Sequence, residues 1–274
     1  MKRMRIMGLC LVAVFAVSAF AASGASALPE IGKCVAKAGT GKYKDANCNE
    51  KAGTLKSEKS FEFLKEIGKA KFTSSGGAGV LETEAGTKVE CTTQSATGEY
   101  DVDLSPTTGK QLPTKEVDHV TAKFNGCSLP LLGAKCNTAG SGEGEIVTKP
   151  LEGGLGYISG KGTKTPSVGQ ELEPMTVKGK FVEFECSSAA KVAVGEGGGK
   201  GGDCIIAPVA NANEMSLTAT QFYSGEKGKQ TPQHFEGSAA ICNLESNLNG
   251  GAFERATQAL STTVTNEEAL EIKA

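Results

Sequence analysis

Short runs of alternating apolar and polar residues, broken by glycine-rich turns, restrict the fold of this chain more than any other feature. Between residues 78 and 104, apolar and polar residues alternate on both sides of a turn at Ala85–Gly86. This pattern predicts a hairpin because successive strand side chains point to opposite faces. Similar runs recur at Val117–Phe124, Glu145–Lys149, Met175–Cys186, Val192–Val194, Cys204–Val209, Met215–Tyr223, Ala259–Val264 and Ala269–Lys273. Glycine-rich turns are predicted between them, at 105–109, 152–156 and 195–202. Many short strands joined by such turns predict an all-β fold, an antiparallel sandwich or barrel.

In two segments the sequence also allows a helix. Apolar residues recur at three-residue spacing from Phe61 onward within Ser60–Lys71, as on a helix face, yet the same segment begins with the alternation of a strand. Both interpretations stay open there. Near the C-terminus, the run that starts at Thr265 has residues able to cap one short helical turn.

The N-terminus has the features of a secretory signal peptide. Basic residues within the first five positions precede an apolar run from Met7 to Ala22, and small residues follow up to Ala27. We therefore expect residues 1–27 to be cleaved after Ala27 and the chain to be secreted. The apolar run is shorter than the roughly 20 residues that cross a bilayer, and no second run approaches that length, so no membrane span is expected after cleavage.

The sequence of the mature chain marks only one candidate domain boundary, after residue 71. Residues 28–71 carry their own pair of cysteines and a lysine-rich run. They form either a separate N-terminal segment or a part of the main all-β domain, which is expected at 72–274. A domain of that length is ordinary for an all-β unit.

Cysteine number supports the same compartment. Eight of the nine cysteines follow the expected cleavage site, and an even number in an exported chain predicts disulfides. Eight cysteines allow on the order of a hundred pairings. The turn-rich spacers of Cys34–Cys48 and Cys127–Cys136 have the size of hairpins, which favours these two pairs. Cys91 and Cys186 each end a strand-like run, which favours Cys91–Cys186. The two cysteines left over form the pair Cys204–Cys242.

The low content of large apolar residues makes the predicted disulfides important for stability. Ile, Leu, Val and Phe together form roughly a fifth of the chain, at the limit where disorder begins. The formal net charge is only −2, whereas disordered chains usually carry a large net charge. We expect a folded protein with a thin core, in which each disulfide contributes roughly 2–4 kcal/mol. Without a basic excess, no nucleic-acid partner is expected.

Candidate catalytic residues are few. The chain has two histidines, His119 and His234, and nucleophilic hydrolysis of the Ser-His-Asp kind needs one of them as base. In a regular strand Asp118 would point away from His119, and His234 is expected in a loop. No G-x-S-x-G sequence is present. We therefore assign no catalytic residue.

Carboxylates offer the other chemistry. Glu183 and Glu185 share one face of an expected strand, as do Asp101 and Asp103, and glycosidases use two carboxyl groups about 5–9 Å apart. Solvated strand faces carry such pairs without any catalysis. The segment after Asp101 begins like a calcium loop but lacks the later ligands, and no C-x-x-C spacing suggests zinc. No metal site is therefore predicted.

A glycine motif of the phosphate-binding type is present, but the segment that follows it is not the one that phosphate binding requires. Gly197, Gly199 and Gly202 match G-x-G-x-x-G, but phosphate binding needs a helix after the motif and a strand is expected there. No cofactor is therefore predicted. Tryptophan is absent, so only the tyrosines at positions 43, 100, 157 and 223 could stack on a sugar.

Several segments resemble a known group of proteins. They are 41–48 (GKYKDANC), 72–77 (FTSSGG), 144–153 (GEIVTKPLEG), 181–186 (FVEFEC), 249–253 (NGGAF) and 265–268 (TNEE). Over nearly all of the mature chain, this pattern is similar to a family of exported, glycine-rich, cysteine-containing proteins of soil actinobacteria that has no assigned function. The resemblance implies no catalytic residues. Cys204 and Cys242 look like additions to it, which favours pairing them with each other.

Two functions follow as hypotheses. We favour a secreted or cell-surface binding or structural protein without catalytic activity, with a cell-wall polymer or another surface protein as partner, because polar glycine-rich loops on a rigid β scaffold suit binding. The alternative is a secreted carboxylate-dependent hydrolase of the glycosidase kind.

Overall fold

The computed structural model describes residues 28–65, 69–100, 115–176, 179–195, 202–236 and 241–274. Within these ranges strands dominate, and the helical segments are two 3₁₀ helices, Lys56–Glu58 and Pro130–Leu132. The strands are β1 (Glu30–Ala36), β2 (Phe61–Leu64), β3 (Lys71–Gly76), β4 (Gly79–Thr83), β5 (Lys88–Cys91), β6 (Thr93–Glu99), β7 (Lys115–Asn125), β8 (Ser128–Leu129), β9 (Ala134–Asn137), β10 (Ile146–Val147), β11 (Leu151–Ser159), β12 (Ser167–Pro174), β13 (Lys180–Cys186), β14 (Ala190–Gly195), β15 (Gly202–Asp203), β16 (Ile205–Val209), β17 (Ser216–Glu226), β18 (Lys229–Thr231), β19 (Cys242–Leu248) and β20 (Glu254–Lys273). The all-β prediction is confirmed.

The strands close two rings that share β20. In the first ring the order is β3, β6, β7, β11, β12, β16, β17 and β20, which pairs again with β3. In the second ring the order is β4, β5, β8, β9, β13, β14, β19 and β20, which pairs again with β4. All of these pairings are antiparallel. The fold is therefore a barrel with additional strands, the second of the two architectures that the sequence allowed.

Strand β20 joins the rings because it is long enough to belong to both. Its first half pairs with β4, from Ala256 opposite Thr83, and its second half pairs with β3, from Thr262 opposite Gly76. The short helical turn considered at Thr265 does not form. Thr265 pairs with β3 on one side and β17 on the other, and these ladders satisfy the backbone groups that a helix would otherwise pair.

Strand β11 corrects the turn that was predicted at 152–156. Its glycines lie inside the barrel wall, where a side chain would not fit: a Cβ on Gly153 would lie 1.7 Å from the Glu171 carbonyl oxygen, and one on Gly156 would lie 1.5 Å from the ring of Phe235. Glycine serves here for close approach of neighbouring chain, not for a turn. Segment 61–64, left open between helix and strand, is strand β2.

Two of the four predicted disulfides are confirmed and two are wrong. Cys34 bonds to Cys48, and Cys204 bonds to Cys242. The predicted pairs Cys127–Cys136 and Cys91–Cys186 do not form. The bonds observed instead are Cys91–Cys127 and Cys136–Cys186.

The error has a geometric reason. The β8–β9 hairpin does place Cys127 beside Cys136, whose N–H donates to the Cys127 carbonyl at 3.0 Å. Cys136 is also directly opposite Cys186 on β13. Four cysteines thus follow one another across the neighbouring strands β5, β8, β9 and β13, and each central cysteine bonds to its outer neighbour.

The N-terminal segment, residues 28–64, is attached to the end of β20. Strand β1 pairs with β20 from Glu30 opposite Lys273 and with β2 on its other side. The Lys273 ammonium donates to the Cys48 carbonyl, to Asn49 Oδ1 at 2.9 Å and to a carboxylate oxygen of Glu271 at 3.3 Å. One lysine thus connects the loop closed by the first disulfide to the barrel.

A search of the described residues for a helix long and apolar enough to cross a membrane finds none.

Candidate functional site

The two rings enclose a cavity of about 120 Å³ where they meet. Its walls are mainly apolar and include Phe72, Val89 and Phe184, all buried. Ala96 on β6 and Ala122 on β7 are cross-strand neighbours in the cavity wall, and both line the cavity. Their small side chains leave space that larger residues at these two positions would occupy.

Neutral polar side chains stand among these apolar walls. Gln94 donates to Ser74 Oγ at 3.3 Å and accepts from Thr262 Oγ1 at 3.0 Å. These three side chains project inward from β6, β3 and β20 of the first ring, and all three are buried. Amide groups have more donors and acceptors than these two bonds use, so this wall has the capacity to bind a polar group.

A second polar group lies on the facing strands. Gln221 donates to Gln170 Oε1, and the Tyr223 hydroxyl donates to Gln221 Oε1 at 3.4 Å. Burial raises the pKa of Tyr223 far above its ordinary value, so the phenol stays neutral well into the alkaline range. Among the described residues that line the cavity there is no acid, lysine, arginine or histidine. The lining that the structure describes is therefore suited to hold a neutral molecule.

The carboxylates proposed for hydrolysis lie elsewhere. Glu183 and Glu185 border a groove of about 380 Å³ on the outside of β13 and β14. Glu183 pairs with Lys180 at 2.8 Å, and Glu185 pairs with Lys191 at 2.9 Å. The hydrogen bond from Lys180 lowers the pKa of Glu183, the opposite of what a general acid needs. Asp101 and Asp103 lie outside the described residues.

His119 departs from the sequence prediction. Asp118 does not point away from it: His119 Nδ1 is 3.1 Å from Asp118 Oδ2 and 3.6 Å from Glu99 Oε1. The strand pairing shifts by one residue here, since Thr97 pairs with Thr121 but Glu99 pairs with Asp118. This β-bulge brings side chains that would alternate to the same side.

One sequence signal could have revealed the bulge. Val117 and Val120 are both apolar, and both are buried. They are three residues apart, which an unbroken period of two does not allow on one face. His234, the other histidine, is exposed beside the buried Phe235.

For the remaining motifs, the described residues lack the structural context that binding would require. Gly197 and Gly199 lie outside them, but the segment that follows is strand β16, not the helix that a phosphate loop requires. Three of the four tyrosines, at positions 100, 157 and 223, are buried, so they form no stacking platform for a sugar.

Comparison of this chain with protein-family models, with curated proteins and with solved structures finds no match in any of the three. The site's own geometry is therefore the basis for the functional argument.

Proposed function

We propose that this chain is an exported binding protein that encloses one small, largely apolar molecule at the junction of its two rings. The observation that carries the proposal is the apolar cavity with amide and hydroxyl groups on its wall. An apolar lining with a few fixed polar groups is the usual composition of a small-molecule site. Some eight-stranded barrels hold one small ligand in their interior, while others fill that space with side chains.

Cavity size limits the ligand. The volume of about 120 Å³ is below the roughly 300–1,000 Å³ of sites for drug-sized molecules. It is close to an engineered apolar cavity of about 150 Å³ that binds benzene. We therefore propose a ligand of one six-membered ring or a short branched chain, with one hydroxyl or carbonyl for Gln94 or Gln221.

Export is the second part of the proposal. The features of residues 1–27 support it, and so do the four disulfides, since such bonds persist in oxidising compartments. A wall polymer or a surface protein would need an external site instead, and the groove beside Glu183 is the place to test for one. The lysine-paired carboxylates there give no support to hydrolysis, so we do not propose an enzyme.

Titration calorimetry with p-cresol and with benzene tests the interior site. We expect one molecule bound per chain and tighter binding of p-cresol, whose hydroxyl can reach an amide. Ala96→Leu fills the cavity and should abolish binding. Thr97→Leu, one residue along on the exposed face of β6, is the matched control and should bind normally.

A folded Ala96→Leu variant that binds p-cresol as the natural chain does would overturn the proposal. If that variant does not fold, Ala122→Leu makes the same test from the opposite strand. No binding of either probe to the natural chain would also refute an accessible interior site.

A further inference from the structure

We propose that Glu99, Asp118 and His119 form a binding site for one divalent transition-metal ion of the zinc type, on the outside of the first ring. The site is separate from the interior cavity and does not depend on the function proposed for it. It offers two carboxylate oxygens and one imidazole nitrogen, all within 4.8 Å of one another.

The spacing of these atoms fits a common ion. Metal bonds of about 2.0–2.2 Å to nitrogen and oxygen separate neighbouring ligand atoms by roughly 3.0–3.5 Å. His119 Nδ1 lies 3.1 Å from Asp118 Oδ2 and 3.6 Å from Glu99 Oε1. Two of the three ligand separations are therefore close to those around a bound ion, and the third, between the two carboxylates, is within 4.8 Å.

The charge of Asp118 is the second, independent observation. This carboxylate is almost completely buried, with 7 % of its side chain exposed, and a second carboxylate, Glu99, is near it. Buried charges in proteins are paired or coordinate metals. In the part of the chain that the structure describes, Asp118 has no lysine or arginine partner; its contacts are the His119 N–H, at 2.8 Å, and the His119 ring. A bound cation would add a positive charge beside this buried carboxylate, whose described contacts all come from His119.

The bulge on β7 is what assembles the three ligands. His119 has a φ of 49°, a conformation that residues other than glycine seldom adopt. This conformation brings the imidazole to the side of the strand where Asp118 and Glu99 lie. In a regular strand the imidazole would face the other way.

The ligand types select the class of ion. Imidazole favours zinc and other late first-row ions, whereas calcium takes six or more oxygens. The His119 side chain is 59 % exposed, so a fourth position is open to water, as in zinc sites with three protein ligands. Lys69 lies 3.7 Å from Glu99 with 66 % of its side chain exposed, so an ion at this site would compete with Lys69 for that carboxylate.

Zinc titration of the full chain carrying Cys10→Ser, which removes the ninth cysteine, and prepared without a histidine tag, tests the site. All eight described cysteines are in disulfides, so no thiol among them competes for the metal. We expect calorimetry to give one Zn²⁺ per chain, and Co²⁺ to give visible absorption bands as a spectroscopic probe. His119→Gly should weaken binding more than tenfold without unfolding the chain, because glycine adopts a positive φ readily.

His234→Gln is the matched control, since it removes the only other histidine and should leave zinc affinity unchanged. Asp118→Asn, a substitution of nearly equal shape, should also weaken binding more than tenfold. The proposal is overturned if the natural chain binds no stoichiometric zinc, or if His119→Gly binds it as tightly as the natural chain. The proposal would also be overturned if His234→Gln lost zinc binding while His119→Gly kept it.

Discussion

Replacing Lys273 by methionine tests how much one ammonium group contributes to holding the loop closed by the Cys34–Cys48 disulfide against the barrel. Methionine keeps an unbranched apolar stem but removes the charge and its hydrogen bonds. The partner left behind is Glu271, which is completely buried and whose Oε2 has no hydrogen-bond partner in the described structure. The variant therefore leaves a buried carboxyl group without its cation and deprives the Cys48 carbonyl of its lysine donor.

The expected loss of stability follows from these contacts. Breaking a buried ion pair by removing one partner costs about 3–5 kcal/mol. Lys273 keeps 19 % of its side chain exposed, and Glu271 can take up a proton once the lysine is gone. Both effects reduce the cost, so we expect Lys273→Met to lower the free energy of unfolding by about 2–4 kcal/mol near pH 7.

This loss must depend on pH. Burial raises the pKa of Glu271, and Lys273 opposes part of that rise. A carboxyl group whose pKa is higher in the folded state binds more protons there, so its contribution to stability falls as pH rises through that pKa. Without Lys273 the pKa rises further. The loss should therefore be larger near pH 8 than near pH 4, where only hydrogen bonds worth about 1 kcal/mol each are missing.

Urea unfolding followed by far-ultraviolet circular dichroism measures these changes, since the chain has no tryptophan for fluorescence. Lys191→Met is the control: it breaks the exposed pair with Glu185 and should cost less than about 1 kcal/mol. An equal loss at both pH values, or a loss no larger than that of the control, would refute the role assigned to Lys273.

Three further predictions concern other parts of the fold. Gly156→Ala should lower the free energy of unfolding by about 3 kcal/mol or more, because its Cβ would overlap the ring of Phe235; Gly142→Ala, which meets nothing within 4 Å, should change it little, and similar melting temperatures for both would contradict the close packing described for β11. Complete reduction of the disulfides, verified by mass, should lower the melting temperature by tens of degrees, as expected for bonds of roughly 2–4 kcal/mol each; an unchanged melt would show that they do not stabilise the fold. Since burial raises the pKa of Tyr223 above its value of about 10 in the unfolded chain, stability should fall as pH rises above 10, and it should fall less in Tyr223→Phe; equal slopes in the two proteins would contradict the burial of this phenol.

The sequence carries the fold class but not the roles of individual glycines. Alternation and turn residues predict strands because these are local properties of the chain. Gly153 and Gly156 belong to strand β11 because distant residues, Glu171 and Phe235, approach it closely, and no local pattern contains that information. The same limit applies to the cysteines, since Cys136 is beside both Cys127 and Cys186 and only the folded chain selects one.

The candidate sites were even less accessible from sequence. Two small lining residues of the cavity, Ala96 and Ala122, are brought side by side by the pairing of β6 with β7, which depends on strand register. The metal ligands come together because a bulge reverses the expected direction of His119, and the spacing of Val117 and Val120 is the local sign of it. Sequence reasoning could identify the residue types for these sites but not their juxtaposition.

The sharing of β20 between both rings has a consequence for biosynthesis. Neither ring can close before this last strand has been made, so the preceding strands must wait for partners that are distant in sequence. Such high contact order makes folding slow and leaves strand edges exposed to aggregation in the meantime. Closure of both rings therefore has to wait for β20, so an interruption of synthesis before Glu254 would leave neither ring complete.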